Sequence, residues 1–150
     1  MRQIALLLAK TSGWFSRFLG RGGGTSLPGM ILIKLRPNII REMAQELEDG
    51  VVVISATNGK TTTARMIGNA AQVSGVAYVA NTSGANLSSG IATALLERNP
   101  DESLGIFEVD EAALPDMILE LKPSVLVLMN LFRDQLDRYG ELESIIQKWK

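Results

Sequence analysis

The segment Ser55-Ala56-Thr57-Asn58-Gly59-Lys60-Thr61-Thr62-Thr63 lies between the apolar run Val51-Val52-Val53-Ile54 and a helix-forming stretch, and residues of these types in that setting can grip phosphate. Gly59 lets the backbone close round an anion, the N–H groups from Gly59 to Thr62 open the following helix without acceptors, and Lys60 adds a mobile positive charge. Thr61 stands where a hydroxyl can hold magnesium in a nucleotide triphosphate site. The glycine usual five positions before Gly59 is replaced by Ile54, so the motif is a variant.

Three further polar clusters accompany it. Glu108 ends the apolar run Leu104-Gly105-Ile106-Phe107, where its carboxylate would face the phosphates and serve a hard cation. Asp110 and Glu111 read as a solvated helix start favoured by the macrodipole. Asn81-Thr82-Ser83-Gly84-Ala85-Asn86 is a small polar turn able to reach a metal or a substrate group, and by itself is ordinary turn chemistry. Asn130 to Gly140 gathers amide, acid and guanidinium groups, including Asp134 and Gln135, in one short stretch.

These clusters need a frame that brings them together. The chain predicts strands over 51–55, 76–80, 104–109 and 124–129 alternating with helices over 60–74, 86–98, 112–121 and 141–150. Apolar runs without alternation imply strands buried on both faces. The fold class is therefore α/β, with a P-loop-type, mostly parallel sheet, helices on both faces and the polar loops at the strand C-termini. Before it come a helical segment from Arg2 to Leu19, closed by Gly20 and Gly22-Gly23-Gly24, and the apolar piece Met30 to Leu35, which fits helix or strand. A helix opened by Pro37 then runs through Ile39, Ile40, Met43 and Leu47 to Asp49-Gly50.

With 150 residues, 46% apolar content and 21% charged residues, one globular domain with a real core is expected. The chain has no cysteine and no histidine, so thiolate chemistry, disulfides and imidazole bases are excluded, and carboxylates, lysine, hydroxyls and bound metal must do the work. Residues 1–36 carry six basic residues and no acid, whereas the remainder carries nine basic against sixteen acidic, which divides the chain into a basic amphipathic head (1–36) and an acidic body (37–150). The head could lie on an anionic membrane surface or pack on its own protein. Without a span of about 20 apolar residues or a secretory cleavage site, a cytoplasmic protein is expected, at most touching the inner face of the plasma membrane.

Taken together, Thr57-Asn58-Gly59-Lys60-Thr61-Thr62, Asn81-Thr82-Ser83-Gly84, Glu108 in Glu-Val-Asp-Glu, and Asn130 with Asp134-Gln135-Leu136-Asp137 and Gly140 resemble the central ATPase domain of the Mur ligase family. The likeness is strongest to its MurT-type branch and runs from Gly22-Gly23-Gly24 through Arg133-Asp134-Gln135. The resemblance implies that Thr57 to Thr62 hold ATP, with Lys60 on its phosphates, that Thr61, Ser83 and Glu108 serve Mg2+, and that Asp134 and Gln135 shape a substrate or second-metal locus. Histidine is usual in the family at the place of Gln135, and glycine at that of Ala56. It further implies amide formation through an acyl phosphate on D-glutamate of the lipid II stem peptide, with ammonia from a GatD-type glutamine amidotransferase and no nucleic acid partner. The zinc expected of a full-length member has no cysteine ligands in this chain.

The chain ends at Lys150 inside an expected helix, which reads as the N-terminal part of a longer protein, binding ATP weakly or not at all alone and turning nothing over. Two other readings follow from the same residues. One is a Mur or folylpolyglutamate-synthase-like ligase that adds an amino acid; the other is a non-catalytic nucleotide-binding remnant.

Overall fold

The β-branched run Val51 to Ile54 has no polar face, so it is stable as a strand only where both sides are covered. A computed structural model, which describes residues 5–9, 11, 26–81 and 84–131, meets that demand. Strand β1 (Gly50–Ser55) lies inside a four-stranded sheet of order β2-β3-β1-β4, with β2 at Tyr78–Ala80, β3 at Leu104–Glu108 and β4 at Val125–Leu128. Every pairing is parallel. The register sets Ile54 opposite Glu108 and Ser55 opposite Leu128, so the ends of three strands are level with one another.

Alternate side chains of β1 serve different cores. Val51 and Val53 join Phe107, Val109 and Val79 under a layer formed by helices α1 (Leu27–Leu35), α2 (Ile39–Ala44), α4 (Ser88–Glu97) and α5 (Leu114–Leu121). Val52 and Ile54 join Ile106 on the opposite face, which is covered by α3 (Lys60–Val73) through Ala64 and Ile67. The buried residues of α3 are Ala64, Gly68 and Ala71, a small-residue stripe at helical spacing that lets the helix lie close to the sheet. α3 thus leaves β1 on one face while α5 leaves β3 on the other. Between neighbouring parallel strands whose helices diverge, a crevice opens at the C-terminal edge, and that is where open α/β sheets bind ligands.

The expected alternation of strands and helices from Gly50 to Leu128 is present, with ends shifted by at most two residues; β1 and β3 are buried on both faces as expected, whereas the edge strand β4 leaves Val125, Leu126 and Leu128 exposed. The ambiguous piece before Leu35 is the helix α1, with Pro28 in its first turn, where a missing N–H costs nothing. The helix expected from Pro37 is shorter, ending at Ala44 and continuing to Leu47 as turns. Residues 5–9 are helical and turn Ala5 and Ala9 into the core, with Leu6 against it and Leu7 and Leu8 exposed. The rest of the basic helix before Leu19 and the helix expected over 141–150 lie outside the described residues. Among the described residues no helix is long and apolar enough to cross a membrane.

The layer over the first core depends on one backbone approach. Gly29 of α1 donates its N–H to Thr93 Oγ1 at 2.9 Å, and Thr93 Oγ1 in turn donates to Ser89 O of the same α4 turn at 2.9 Å. A Cβ placed on Gly29 would lie 1.9 Å from Ser89 O, an impossible distance against a backbone atom. Gly29→Ala must therefore push α1 off α4, and we expect a loss of about 2–3 kcal/mol of unfolding free energy, read as a lower urea midpoint with an unchanged slope.

Candidate functional site

The loop between β1 and α3 is held at both ends. Gly59 caps α3 in the left-handed region (φ +91°), which costs a side-chain-bearing residue about 1–2 kcal/mol, and α3 then begins with the Lys60, Thr61 and Thr62 N–H groups lacking intrahelical acceptors. From across the sheet, Asn130, two residues after β4, fastens the loop. Thr57 N–H donates to its backbone carbonyl at 2.8 Å, Asn58 N–H donates to Asn130 Oδ1 at 2.9 Å, and Asn130 Nδ2 donates to Asn58 O at 3.0 Å. A donor on one side and an acceptor on the other settle the orientation of that amide.

Thr61 is the second residue of α3, and Glu108 is the last of β3. The Thr61 hydroxyl donates to Glu108 Oε2 at 2.8 Å, so two oxygen donors from distant parts of the chain meet in the crevice between β1 and β3. Glu108 is kept in place by Asn81, which follows β2. Glu108 N–H donates to Asn81 Oδ1 at 2.9 Å, while Asn81 Nδ2 donates to Glu108 O at 2.9 Å and to Ala85 O at 2.8 Å. One buried side-chain amide thus joins the ends of two strands and the turn after β2. Beside this pair, Thr61, Ala64, Arg65, Tyr78, Asn81 and Glu108 line a cleft of about 250 Å³ between α3 and the sheet edge. A second cavity, of about 430 Å³ and lined by Ala5, Leu8 and Leu35 to Asn38 with Glu42, shares no residue with this edge.

Lys60 reaches back over its own loop. Its ammonium donates to Ala56 O and faces Glu111 Oε2 at 3.4 Å, with only 13% of the lysine side chain and 3% of the glutamate side chain exposed. The expectation that Asp110 and Glu111 form a solvated helix start is thereby overturned, since both residues are 2% exposed. The macrodipole argument assumed a helix from 112, whereas α5 begins at Leu114 and the chain first continues through the interior. Val109 N–H donates to Ile54 O at 2.9 Å and Asp110 N–H to Asn86 O at 3.0 Å, which carries the next two carboxylates inward. Asp110 Oδ1 then accepts from Ala112 N–H at 3.0 Å. A buried carboxylate needs a charged or hydrogen-bonding partner, and Lys60 is one that Glu111 has.

Of the residues singled out in the sequence, Thr57, Asn58, Gly59, Lys60, Thr61, Thr62 and Glu108 are gathered at one edge. Ser83, Asp134 and Gln135 lie outside the described residues. From the sequence, Glu111 reads only as part of a solvated helix start and Asn81 only as turn chemistry. A polar residue closing each successive strand, Asn81 after β2 and Asp110-Glu111 after β3, is the signal that could have found them.

A parallel sheet covered by helices, with a glycine-capped loop beside a hydroxyl–carboxylate pair at the strand C-termini, defines the class of parallel α/β proteins. Residues 54–150 match the Mur ligase middle domain, and the chain belongs to the Mur ligase family. Over 148 residues it is 39% identical to the lipid II isoglutaminyl synthase (glutamine-hydrolyzing) subunit MurT of Staphylococcus aureus, covering 97% of this chain and 33% of that one. The MurT subunit of Streptococcus pneumoniae is 37% identical over 143 residues, covering 93% of this chain and 31% of that one. The chain therefore spans about a third of the length of these relatives. In fold it is similar to the MurF ligase of Thermotoga maritima in complex with ADP, with a TM-score of 0.67 at 20% identity over 78% of this chain and 28% of that one.

Removing the Asn81 amide strips Glu108 of both backbone partners in a buried setting. Asn81→Ala should lower the unfolding free energy by about 2–3 kcal/mol and speed amide exchange at Glu108 in particular, measured by urea denaturation and hydrogen exchange.

Proposed function

We propose that this chain is the ATP-binding part of a carbon–nitrogen ligase of peptidoglycan synthesis, and that the ligase amidates D-glutamate of the lipid II stem peptide to isoglutamine. The observation that carries the reading is the 2.8 Å separation of Thr61 Oγ1 and Glu108 Oε2, at the start of the helix that Lys60 opens. Magnesium binds oxygen in near-ideal octahedra with bonds of about 2.0–2.1 Å, so two neighbouring ligands stand about 2.9 Å apart. The hydroxyl and carboxylate fit one edge of such an octahedron. Their donor chemistry suits the ion, and phosphate oxygens and water would complete its shell.

In this reading the backbone N–H groups from Gly59 to Thr62 and the Lys60 ammonium receive the β- and γ-phosphates, and Thr57 and Asn58 complete the loop. Magnesium, when bound, neutralises charge on the phosphate oxygens; Ser83 would be a further ligand beside Thr61 and Glu108. A substrate carboxylate oxygen attacks the γ-phosphorus, the bond from that phosphorus to the bridging oxygen breaks, and ADP departs with the electron pair. The acyl phosphate then loses inorganic phosphate to ammonia, which gives up a proton as the amide forms. Positioning and charge neutralisation are the protein's share of this work, with Asp134 and Gln135 shaping the substrate or second-metal locus.

The specific amidation is supported by the likeness to MurT subunits, whose names carry glutamine hydrolysis and lipid II. We therefore assign the ammonia to a GatD-type glutamine amidotransferase partner. The work belongs in the cytoplasm, with the basic head toward the inner face of the plasma membrane where lipid II is anchored. A second reading, addition of an amino acid, draws on the 31% identity over 122 residues to the UDP-N-acetylmuramoylalanine–D-glutamate ligase of Natranaerobius thermophilus.

Binding is tested by titrating MgATP at millimolar concentration into the isotope-labelled chain and following amide shifts. We expect weak saturable binding with the largest shifts at Gly59 to Thr62, reduced about tenfold or more in Lys60→Ala, an effect of at least ~1.4 kcal/mol. In Thr61→Val and Glu108→Gln the gain in affinity that magnesium brings should shrink. Lys60→Ala binding as well as wild type would contradict the reading. At the level of reaction, the protein carrying this chain in its native length should place 15N from ammonia on D-glutamate of lipid II; incorporation of a labelled amino acid instead would favour the second reading.

A further inference from the structure

We propose that Glu111 is a positioning residue that acts through Lys60, holding its ammonium against the phosphate loop and competing with phosphate for it. The inference rests on the nucleotide-binding reading above and adds to it a residue with which none of the assigned roles is concerned.

A lysine at the start of a helix has a flexible four-carbon stem and would ordinarily spread over many rotamers in water. Lys60 does not. Its ammonium is shared between Ala56 O, at the start of the loop, and Glu111 Oε2 at 3.4 Å, on the segment that follows β3. Both side chains are largely withdrawn from solvent, at 13% and 3% exposure, so the pair is a largely buried one whose disruption is costly. Because Lys60 spans from one end of its loop to the other, the ammonium closes the same hollow that an incoming phosphate must enter.

Arriving triphosphate must therefore share the ammonium with these two contacts or replace one of them. The carbonyl of Ala56 is neutral, and Glu111 carries the competing negative charge. Exchange of Glu111 for a phosphate oxygen leaves a carboxylate close to the new anion, which weakens nucleotide binding relative to a site lacking it. The same carboxylate takes the ammonium back as phosphate leaves. Glu108, the other acid of this edge, is engaged with the Thr61 hydroxyl and does not compete for Lys60 in this arrangement.

The test uses the protein carrying this chain in its native length, with Glu111→Gln, Lys60→Met and the double variant, read by MgATP affinity and by thermal unfolding. We expect Glu111→Gln to bind MgATP about tenfold more tightly, ~1.4 kcal/mol, while melting at a lower temperature. Opposite signs in the two measurements separate this role from simple structural support, which would lower both. In the Lys60→Met background the gain should vanish, as expected for a pair that acts as one unit. Unchanged or weaker binding by Glu111→Gln overturns the proposal, and so does an equal gain without Lys60, which would mean that Glu111 acts on phosphate directly. Should Glu111→Gln fail to fold, Glu111→Asp carries the test, with a smaller gain in the same direction expected and none overturning it. Absence of MgATP binding by wild type sinks the nucleotide reading together with this one, whereas wild-type binding unaltered by Glu111 variants sinks this one alone.

Discussion

Parallel pairing of β1 with β3 on one side and β4 on the other is the constraint from which the rest of the structure follows. Strands that run in one direction must release every following loop at one edge, and the register of Ile54 with Glu108 and Ser55 with Leu128 makes those exits level. Neither Asn130 nor Glu108 could reach the loop after β1 if either strand were reversed. The apolar character of Val51 to Ile54 thus has a functional consequence, because only a strand wanted on both faces will accept a parallel neighbour on each side.

Charge then decides what that edge can accept. Three buried carboxylic side chains, Glu108, Asp110 and Glu111, follow closely on one another from the end of β3, and each is tied to a different group: the Thr61 hydroxyl, the Ala112 N–H and the Lys60 ammonium. A triphosphate entering such surroundings needs cationic company, which is the physical reason for pairing the nucleotide with a divalent ion in the proposed function. Backbone N–H groups at the start of α3 supply the remaining attraction without adding a titratable charge.

Much of this was legible in the chain itself. Runs of β-branched and apolar residues between turn residues marked all four strands, and Gly59-Lys60-Thr61 marked the place where a helix start would meet phosphate. The polar ends of successive strands pointed to a shared edge. What failed was inference from neighbours alone. Asp110 and Glu111 look like a helix N-terminus when only the following residues are considered, whereas a lysine 51 positions away determines where Glu111 goes. Asn81 reads as turn chemistry because its partners, the backbone groups of Glu108, belong to another strand. The piece from Met30 to Leu35 was ambiguous because a short apolar run has no period of its own; the approach of Gly29 to α4 decides it. Ser83, Asp134 and Gln135, outside the described residues, rest on the family resemblance.

The central claim is that loops distant in sequence meet a nucleotide-borne cation between β1 and β3. Paramagnetic broadening by MnATP tests it most directly, since the manganese ion takes the place of magnesium and bleaches amide signals near it. The account predicts loss of signal at Gly59 to Thr62, at Asn81, at Glu108 to Glu111 and at Asn130, with residues at the opposite ends of the strands, such as Gly50 and Leu104, left sharp. Broadening centred on the cavity of Leu8, Leu35 and Glu42, or spread without preference for the crevice, would contradict it.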